Sequence, residues 1–189
     1  FDTGPEFAPG SYAEDMSNHL VIVGLDDVGH LIALMAERTA VPYIAFDREY
    51  QTVLHGKHAG RNVYFGDLDS RVVQEAAGLS RARAVFISST DMKRLKGIAL
   101  TLRGNYPKLD VYARVNSIED QQELRARGIK HAATSFIEST LSRGASLLLE
   151  MGVAEDAVDS LVESLREGEY APVIEALESN MQTDAARAG

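Results

Sequence analysis

Cysteine is absent from the 189 residues, basic charge is in the minority and long apolar runs are missing. Without cysteine the chain has no disulfide, no thiolate metal site and no cysteine nucleophile. Acidic residues outnumber lysine and arginine by 28 to 19, and no concentrated basic patch is present, which argues against a nucleic-acid partner. No apolar run approaches the ~20 residues that cross a bilayer, so we expect any membrane-spanning part to lie outside this chain.

Sequence signatures of common catalytic sites are also missing. The chain has no Gly-x-Ser-x-Gly elbow and no phosphate-cradling Gly-Lys-Ser/Thr loop, so hydrolase and nucleoside-triphosphatase functions lack support. His55 and His58 share one face of a predicted helix, but no third metal ligand accompanies them. We therefore predict neither catalytic residues nor a metal site, and we expect the five histidines to be core or solvated residues.

The first 17 residues have the composition of a flexible leader or an expression remnant. Two prolines and two glycines interrupt them, and no periodic apolar pattern is present. The segment also lacks the charged start and the apolar stretch of a secretory signal.

From residue 18 onward, short apolar runs alternate with helical stretches of ten to fifteen residues. Strands are predicted over 19–24, 42–47, 62–67, 83–89, 109–115 and 130–135. Such alternation is typical of βαβ units, and it predicts a Rossmann-like, doubly wound parallel six-stranded sheet over residues 18–135. Beyond Ser135 the strand signals stop, and apolar residues at helical spacing predict a helical extension over 136–189. This extension can pack on its own domain or, as we favour, on a partner copy.

The turn after the first predicted strand is a modified dinucleotide fingerprint. Gly24 and Gly29 take the first and third glycine positions, which serve the tight turn and close helix packing, but Asp26 stands at the second. Its carboxylate brings bulk and negative charge to the place of a pyrophosphate. The usual dinucleotide pose is therefore disfavoured. Two interpretations of the turn stay open: part of a site for a mononucleotide anchored elsewhere, or a plain strand–helix turn.

Polar residues follow the next strands at the same edge of the predicted sheet, where open α/β sheets bind ligands. Asp47 ends the second strand and can accept hydrogen bonds from ribose hydroxyls, although capping the next helix is the competing role. Gly66 and Asp67 end the third strand, where a base can approach the glycine and an adenine amino group can donate to the aspartate. Helix capping by Asp67 or Asp69 is the alternative there. The fourth strand ends in the hydroxyl-bearing residues Ser88, Ser89 and Thr90.

The chain from about residue 18 to residue 152 resembles the RCK family, the regulators of potassium conductance, also called the Trk-type N-terminal domain. The likeness is carried by HLVIVGLDDVG, by the acid in AFDRE, and by VYFGDLDSRVVQEAAGLSRARAVFISSTD. Within the family the sequence is most similar to the C-terminal domain of Kef-type glutathione-gated potassium efflux systems, which share a helix like FIESTLSRGASLLLEMGV.

The resemblance implies a nucleotide site formed by Gly24, Leu25, Asp26, Val28, Asp47, Arg48, Gly66, Asp67, Leu68, Ser88 and Ser89. In that site Leu25 and Val28 would contribute their backbone, and Asp47 would hold the ribose. Asp67 and Leu68 would meet the adenine, and the two serines would line the phosphate side.

The sequence departs from the Kef pattern at several positions. Asp26 replaces the middle glycine, and Asp27 stands where Kef domains often carry arginine, for which Arg71 is a candidate replacement. The Ala-Arg-x-Arg run of the Kef glutathione site is matched at Arg114, while Asn116 stands at the second arginine. The resemblance thus implies a second effector site at Arg114 and Asn116, for glutathione or another small cytoplasmic effector.

The function implied by the resemblance is the gating of a potassium efflux system, a potassium/proton antiporter. The domain would be a cytoplasmic homodimer attached to a transmembrane transport domain of the same protein, and it would bind AMP, with NAD(H) as the alternative ligand. An RCK gating domain of a potassium channel or of a Trk-type uptake system is the alternative within the family. An NAD(P)-dependent oxidoreductase is the alternative outside it, but the stretch after Ser135 is too short and too purely helical for a substrate domain.

Overall fold

The computed structural model describes residues 12–167, in which strands and helices alternate. The strands are β1 (Leu20–Val23), β2 (Tyr43–Asp47), β3 (Val63–Phe65), β4 (Ala84–Ile87), β5 (Asp110–Val115) and β6 (His131–Thr134). The helices are α1 (Asp27–Arg38), α2 (Tyr50–His58), α3 (Arg71–Ala76), α4 (Met92–Asn105), α5 (Ile118–Ala126), α6 (Ser135–Glu150) and α7 (Glu155–Glu167).

The six strands form one sheet in the order β3-β2-β1-β4-β5-β6, and every neighbouring pair is parallel. The chain winds outward from β1 to β3, returns to the centre at β4 and then winds to the other edge. The reversal of direction between β1 and β4 is the topological switch point of a Rossmann-like sheet. The doubly wound fold predicted from the sequence is therefore confirmed.

Side chains alternate between the two faces of the sheet and build two apolar clusters. Val21, Ile44 and Val85 point to one face and belong to the larger cluster, which also contains Leu95 of α4 and Leu124 of α5. On the other face, the smaller cluster forms between the first three strands and the helices α1 and α2. Each fully buried aliphatic side chain contributes about 1.5–3 kcal/mol through its removal from water, so these clusters fix the sheet and its carboxyl edge.

On the face of the sheet that carries α1, the described residues cover β4, β5 and β6 only in part. Tyr112 of β5 is 39% exposed and stacks on the exposed His131 of β6 at 4.2 Å between ring centroids, and Phe86 of β4 is half-buried beside them. An apolar groove of about 310 Å³ runs from this half of the sheet to Ile32 of α1 and Val41.

The residues before β1 depart from the predicted flexible leader. Ala13 is 1% exposed and lies within the larger cluster, and the rings of Tyr12 and Tyr64 are 4.0 Å apart. The Arg81 guanidinium donates to the carbonyl oxygens of Ala13 at 2.6 Å and Met16 at 3.1 Å. The stretch from Tyr12 is therefore packed on the domain, because it supplies an aromatic ring and backbone acceptors; residues 1–11 lie outside the described part.

The predicted helical extension is confirmed as far as Glu167. Helix α6 begins directly after β6, and α7 folds back on it through bonds from the Arg166 guanidinium to Glu138 at 3.0 and 3.2 Å. Ile137 and Val158 are the buried anchors of the two helices. Within residues 12–167, every helix falls short of the length and apolarity that crossing a bilayer needs. The expected continuation over 171–182 lies outside the described residues.

His19 provides a test of the packing at the start of β1. Its side chain is fully buried, and its Nε2 lies 2.8 Å from the carbonyl oxygen of Ala77. Among residues 12–167 its Nδ1 has no hydrogen-bond partner. Burial lowers the pKa of His19 below its ordinary 6.5, against the opposing effect of the Ala77 bond. As the pH falls through 6.5, His19 takes up a proton in the unfolded chain before it does so in the folded one. The free energy of unfolding therefore falls as the pH falls through this range.

When the pH is lowered from about 7.5 to about 5.5, we expect the melting temperature to fall less in His19→Gln than in the parent, because glutamine does not titrate. Thermal unfolding at both pH values measures the difference. His131→Gln is the matched control, since His131 is exposed, and it should keep the parent's pH dependence. Equal pH dependence in all three proteins would contradict the assignment.

Candidate nucleotide-binding site

A cavity of about 260 Å³ opens at the switch point, at the carboxyl ends of β1, β2, β3 and β4. It contains eight of the predicted site residues: Gly24, Leu25, Asp26, Asp47, Arg48, Gly66, Ser88 and Ser89. Its remaining walls come from Val23, Phe46, Glu49, Thr52, Thr90, Asp91 and Arg94. The structure thus brings together most of the residues that the sequence assigned to a nucleotide.

The two glycines of the fingerprint are fixed by backbone packing. Gly24 has a positive φ of 89°, and a Cβ there would overlap the carbonyl oxygen of Ser88 at the end of β4. A Cβ at Gly29 would in turn overlap the carbonyl oxygen of Gly24. Gly24 therefore packs against the end of β4, and Gly29 packs the start of α1 against the turn. Tight turning and close helix packing are the roles that the fingerprint gives these two positions.

Asp26 is the N-cap of α1 and the centre of a small polar network. Its Oδ1 accepts from the backbone N–H of Gly29 at 2.9 Å. Its Oδ2 accepts from the Ser88 hydroxyl at 2.6 Å and from the Arg114 guanidinium at 3.0 Å. The Nε of Arg114 also donates to the Ser88 hydroxyl, at 3.1 Å. Two side chains and one backbone N–H thus hold the charge that the sequence placed in the glycine turn.

The environment of Asp26 keeps its carboxyl group ionised. Burial alone would raise its pKa, but the bonds from Ser88 and Gly29 and the positive charge of Arg114 outweigh that effect and lower the pKa. The negative charge is therefore a permanent feature of the turn at neutral pH.

Asp47 joins the end of β2 to the glycine turn. Its Oδ2 accepts from the backbone N–H of Leu25 at 2.8 Å, and its Oδ1 accepts from the N–H of Glu49 at 2.7 Å. The N-cap of α2 is Glu49, so Asp47 does not take the competing capping role. Each carboxylate oxygen has a second acceptor site, so Asp47 can still receive a hydroxyl donor from the cavity.

The residues after β3 are placed differently from the expectation. Gly66 lines the cavity, but a Cβ there would come within 3.1 Å of the side chains of Phe46 and Val73. Close packing therefore explains the glycine equally well, without an approaching base. Asp67 pairs with Arg94 and accepts from the N–H of Asp69 at 3.0 Å. The N-cap of α3 is Ser70, so neither aspartate caps that helix.

Three of the predicted site residues do not line the cavity: Val28, Asp67 and Leu68. Val28 belongs to the first turn of α1, and Asp67 faces Arg94. Leu68 is 1% exposed and packs in the larger cluster, because the chain makes a tight turn after β3 that directs it inward. Its side chain is therefore part of the core rather than an adenine contact.

Arg94 is a cavity residue that the sequence interpretation missed. It lies in the first turn of α4, its side chain is 14% exposed, and it pairs with Asp67 and, at 3.7 Å, with Asp69. Helix α4 follows β4 directly, so a basic residue in its first turn had to lie near the carboxyl edge of the sheet. Arg71, the arginine proposed from the sequence, is 88% exposed and pairs with Glu75, away from the cavity.

The two residues of the predicted second effector site lie outside the cavity and have different surroundings. Arg114 is held by Asp26 and Ser88, at the border of the nucleotide crevice. Asn116 lies beyond the end of β5 and is exposed. Arg114 is thus tied to the glycine turn instead of forming a separate pair with Asn116.

Comparison with known proteins matches residues 20–135 to the TrkA-N domain. K(+) efflux antiporter 3 of Arabidopsis thaliana chloroplasts is 29% identical over 161 residues, which cover 81% of this chain and 21% of that protein. The curated relatives are thus far longer, and this chain spans about a fifth of their length.

Two solved structures share the fold. The Kef C-terminal domain of Shewanella denitrificans in its AMP-bound form has a TM-score of 0.64 at 17% identity, with 84% of this chain and 96% of that chain covered. The GsuK channel bound to NAD has a TM-score of 0.57 at 19% identity, with 64% of this chain and 22% of that chain covered.

The network around Asp26 predicts a measurable coupling to Arg114. In an Arg114→Gln variant we expect the pKa of Asp26 to rise, because the guanidinium and its charge are gone, and NMR titration of the carboxyl carbon measures the change. The pKa of Asp26 is lowered in the folded state, so its stabilising effect is present above pH 3.8 and is lost as the pH falls through the folded-state pKa.

We therefore expect Arg114→Gln to have a free energy of unfolding about 0.5–1 kcal/mol lower than the parent at neutral pH, a modest loss because solvent screens this pair. In acid, where Asp26 is protonated, the loss should be smaller. Urea unfolding at both pH values tests this. Arg71→Gln removes an exposed guanidinium from the surface pair with Glu75 and is the control. An unchanged titration of Asp26 in Arg114→Gln would show that the pair is absent in solution.

Proposed function

The chain belongs to the TrkA-N domain family, and from that membership we propose that it is a nucleotide-binding regulatory domain that gates a potassium efflux antiporter. The observation that carries the proposal is the cavity at the switch point, formed by the Gly24 turn, Asp47 and the serines after β4. The similarity to a K(+) efflux antiporter, of which the chain spans about a fifth, supports a transmembrane transport domain as its partner. We propose that the domain lies on the cytoplasmic side of that membrane.

The ligand that we propose is AMP, with NAD(H) as the alternative. The Asp47 carboxylate lies beside the glycine turn, where it can accept from ribose hydroxyls. Ser89 and Arg48 line the same cavity and supply donors for a phosphate, while the hydroxyl of Ser88 beside them donates to Asp26. The AMP-bound Kef domain and the NAD-bound GsuK channel are the neighbours in fold that support this class of ligand.

The lining of the cavity supports a regulatory function over an oxidoreductase. Among the described residues that form it, none is histidine, lysine, tyrosine or cysteine. Of its carboxylates, Asp26 is engaged by Ser88 and Arg114, and Asp47 by two backbone N–H groups. The Ser88 hydroxyl donates to Asp26, whose pKa is lowered and which is paired with Arg114, so this carboxylate is too weak a base to activate the serine as a nucleophile.

We propose that a second copy of the chain packs on two exposed apolar surfaces, one on α6 and one on the sheet. Helix α6 exposes Phe136, Leu147 and Met151 along one side, with Met151 73% exposed at its end. The half-sheet around Tyr112 and the apolar groove beside it are open as well. Apolar surfaces of this kind favour association, and a helix that leaves the sheet is suited to reaching a neighbouring domain.

Switching of the dimer is part of the same proposal. A nucleotide can shift a dimer between two states only if it binds them with different affinities. The gating domain of a potassium channel is the second candidate, and the GsuK similarity favours it. Preference for AMP supports the efflux domain, and preference for NAD supports the channel-type domain.

We expect isothermal titration calorimetry to detect AMP binding to the purified domain and to show a loss in Asp47→Ala. The loss of hydrogen bonds to a charged acceptor costs about 1.5–3 kcal/mol, roughly a tenfold to hundredfold rise in Kd. Glu75→Gln, on the exposed surface of α3, is the control and should bind like the parent. Equal affinity in Asp47→Ala and the parent would place the nucleotide elsewhere.

We expect Leu147→Glu to convert a dimer into a monomer, because it puts a charge into the exposed apolar side of α6. Analytical ultracentrifugation measures the mass. Ser142→Glu introduces the same charge on the opposite side of the same helix and should leave the dimer intact. A parent that sediments as a monomer, or two variants that dissociate equally, would contradict the assignment of this surface.

A further inference from the structure

The glycine turn carries its own anion. The N–H of Gly29, at the start of α1, already donates to the Asp26 carboxylate at 2.9 Å. The N–H of Leu25, in the same turn, donates to the Asp47 carboxylate at 2.8 Å. In a glycine fingerprint the amides at this turn face a pyrophosphate. Here two of them are satisfied by carboxylates of the chain itself.

The positive and polar groups around Asp26 complete an anion site in which the bound anion is the Asp26 side chain. The guanidinium of Arg114 lies 3.0 Å from its Oδ2, and the Ser88 hydroxyl donates to the same oxygen at 2.6 Å. A helix N-terminus, a guanidinium and a hydroxyl are a set of groups that binds a phosphate. All three meet on one carboxylate, whose side chain is 37% exposed and borders the cavity.

We infer that Asp26 is a built-in anion that occupies the place of a pyrophosphate, and that it restricts this site to adenosine ligands without a pyrophosphate, namely nucleosides and mononucleotides. The inference rests on the proposed nucleotide-binding function and specifies the ligand class of that site. A pyrophosphate at the turn would meet a like charge whose partners are already engaged, and the carboxylate cannot leave without losing the cap of α1.

A single phosphate has another place in the same cavity. Arg48, directly after β2, and Arg94, at the start of α4, both line it, and neither is part of the hydrogen-bond network of Asp26 described above. Arg94 is paired with Asp67 and Asp69, so a mononucleotide whose ribose lies on Asp47 can present its phosphate to Arg48. A dinucleotide has to pass its pyrophosphate over the turn that Asp26 fills.

Removal of the carboxylate should open the turn to a pyrophosphate. We expect Asp26→Gly to bind ADP-ribose and NAD at least about tenfold more tightly than the parent, while AMP affinity changes by less than about threefold. Arg114 and the N–H of Gly29 are then free to meet the added phosphate. Calorimetric titration of each protein with AMP, ADP-ribose and NAD gives the three dissociation constants.

Two further variants separate charge from bulk and from folding. Asp26→Asn keeps the size of the side chain and an acceptor for the Gly29 N–H, so it should stay folded and gain less ADP-ribose affinity than Asp26→Gly. Asp27→Asn removes the same charge from the next, exposed position and should leave all three affinities unchanged.

The outcomes distinguish this inference from the proposed function. If the parent binds AMP but neither Asp26 variant gains affinity for ADP-ribose, the inference is wrong and the nucleotide site stands. If the parent binds ADP-ribose as tightly as AMP, the inference is also wrong. If no protein of the set binds any of the three ligands, the proposed function and the inference fail together.

Discussion

The contact between the Gly24 turn and the end of β4 is the constraint on which the site depends. The backbone at Gly24 adopts a positive φ and lies so close to the Ser88 carbonyl oxygen that no side chain fits between them. This contact holds the start of α1 at the switch point, and the Leu25 N–H then reaches Asp47 across β1 and β2. The cavity exists because four strand ends and two helix starts converge around that one turn.

The same closeness explains how an acidic residue is tolerated in the fingerprint. Asp26 sits within reach of both Ser88 and Arg114, so its charge is compensated across three elements instead of repelling its surroundings. A carboxylate that caps its own helix is stabilising at an N-terminus, where the helix dipole is positive. The turn therefore has the close glycine packing of the fingerprint, and a carboxylate of the chain itself accepts from the Gly29 N–H.

The sequence was sufficient to predict the fold, because periodic apolar runs and strand-ending polar residues are local signals. It also predicted that eight of the named residues lie together at one edge of the sheet, since parallel strands bring their carboxyl ends together. It did not predict that Arg114 holds Asp26, because 88 positions separate the two residues and only the register of β5 beside β4 joins them. The burial of Leu68 was missed for a related reason, since one tight turn reverses the direction of a side chain.

The position of Arg114 also connects the glycine turn with the helical extension. Arg114 pairs in register with Ala133 of β6, and α6 begins at Ser135, two residues further on. Between them Thr134 is buried, and its hydroxyl donates to Gln121 of α5 at 2.7 Å, so this junction is packed against α5. A ligand that alters the Asp26–Arg114 pair therefore acts on a strand beside the root of the helix proposed to hold the partner copy. Contiguity alone does not produce regulation; the ligand must also bind the two dimer states with different affinity.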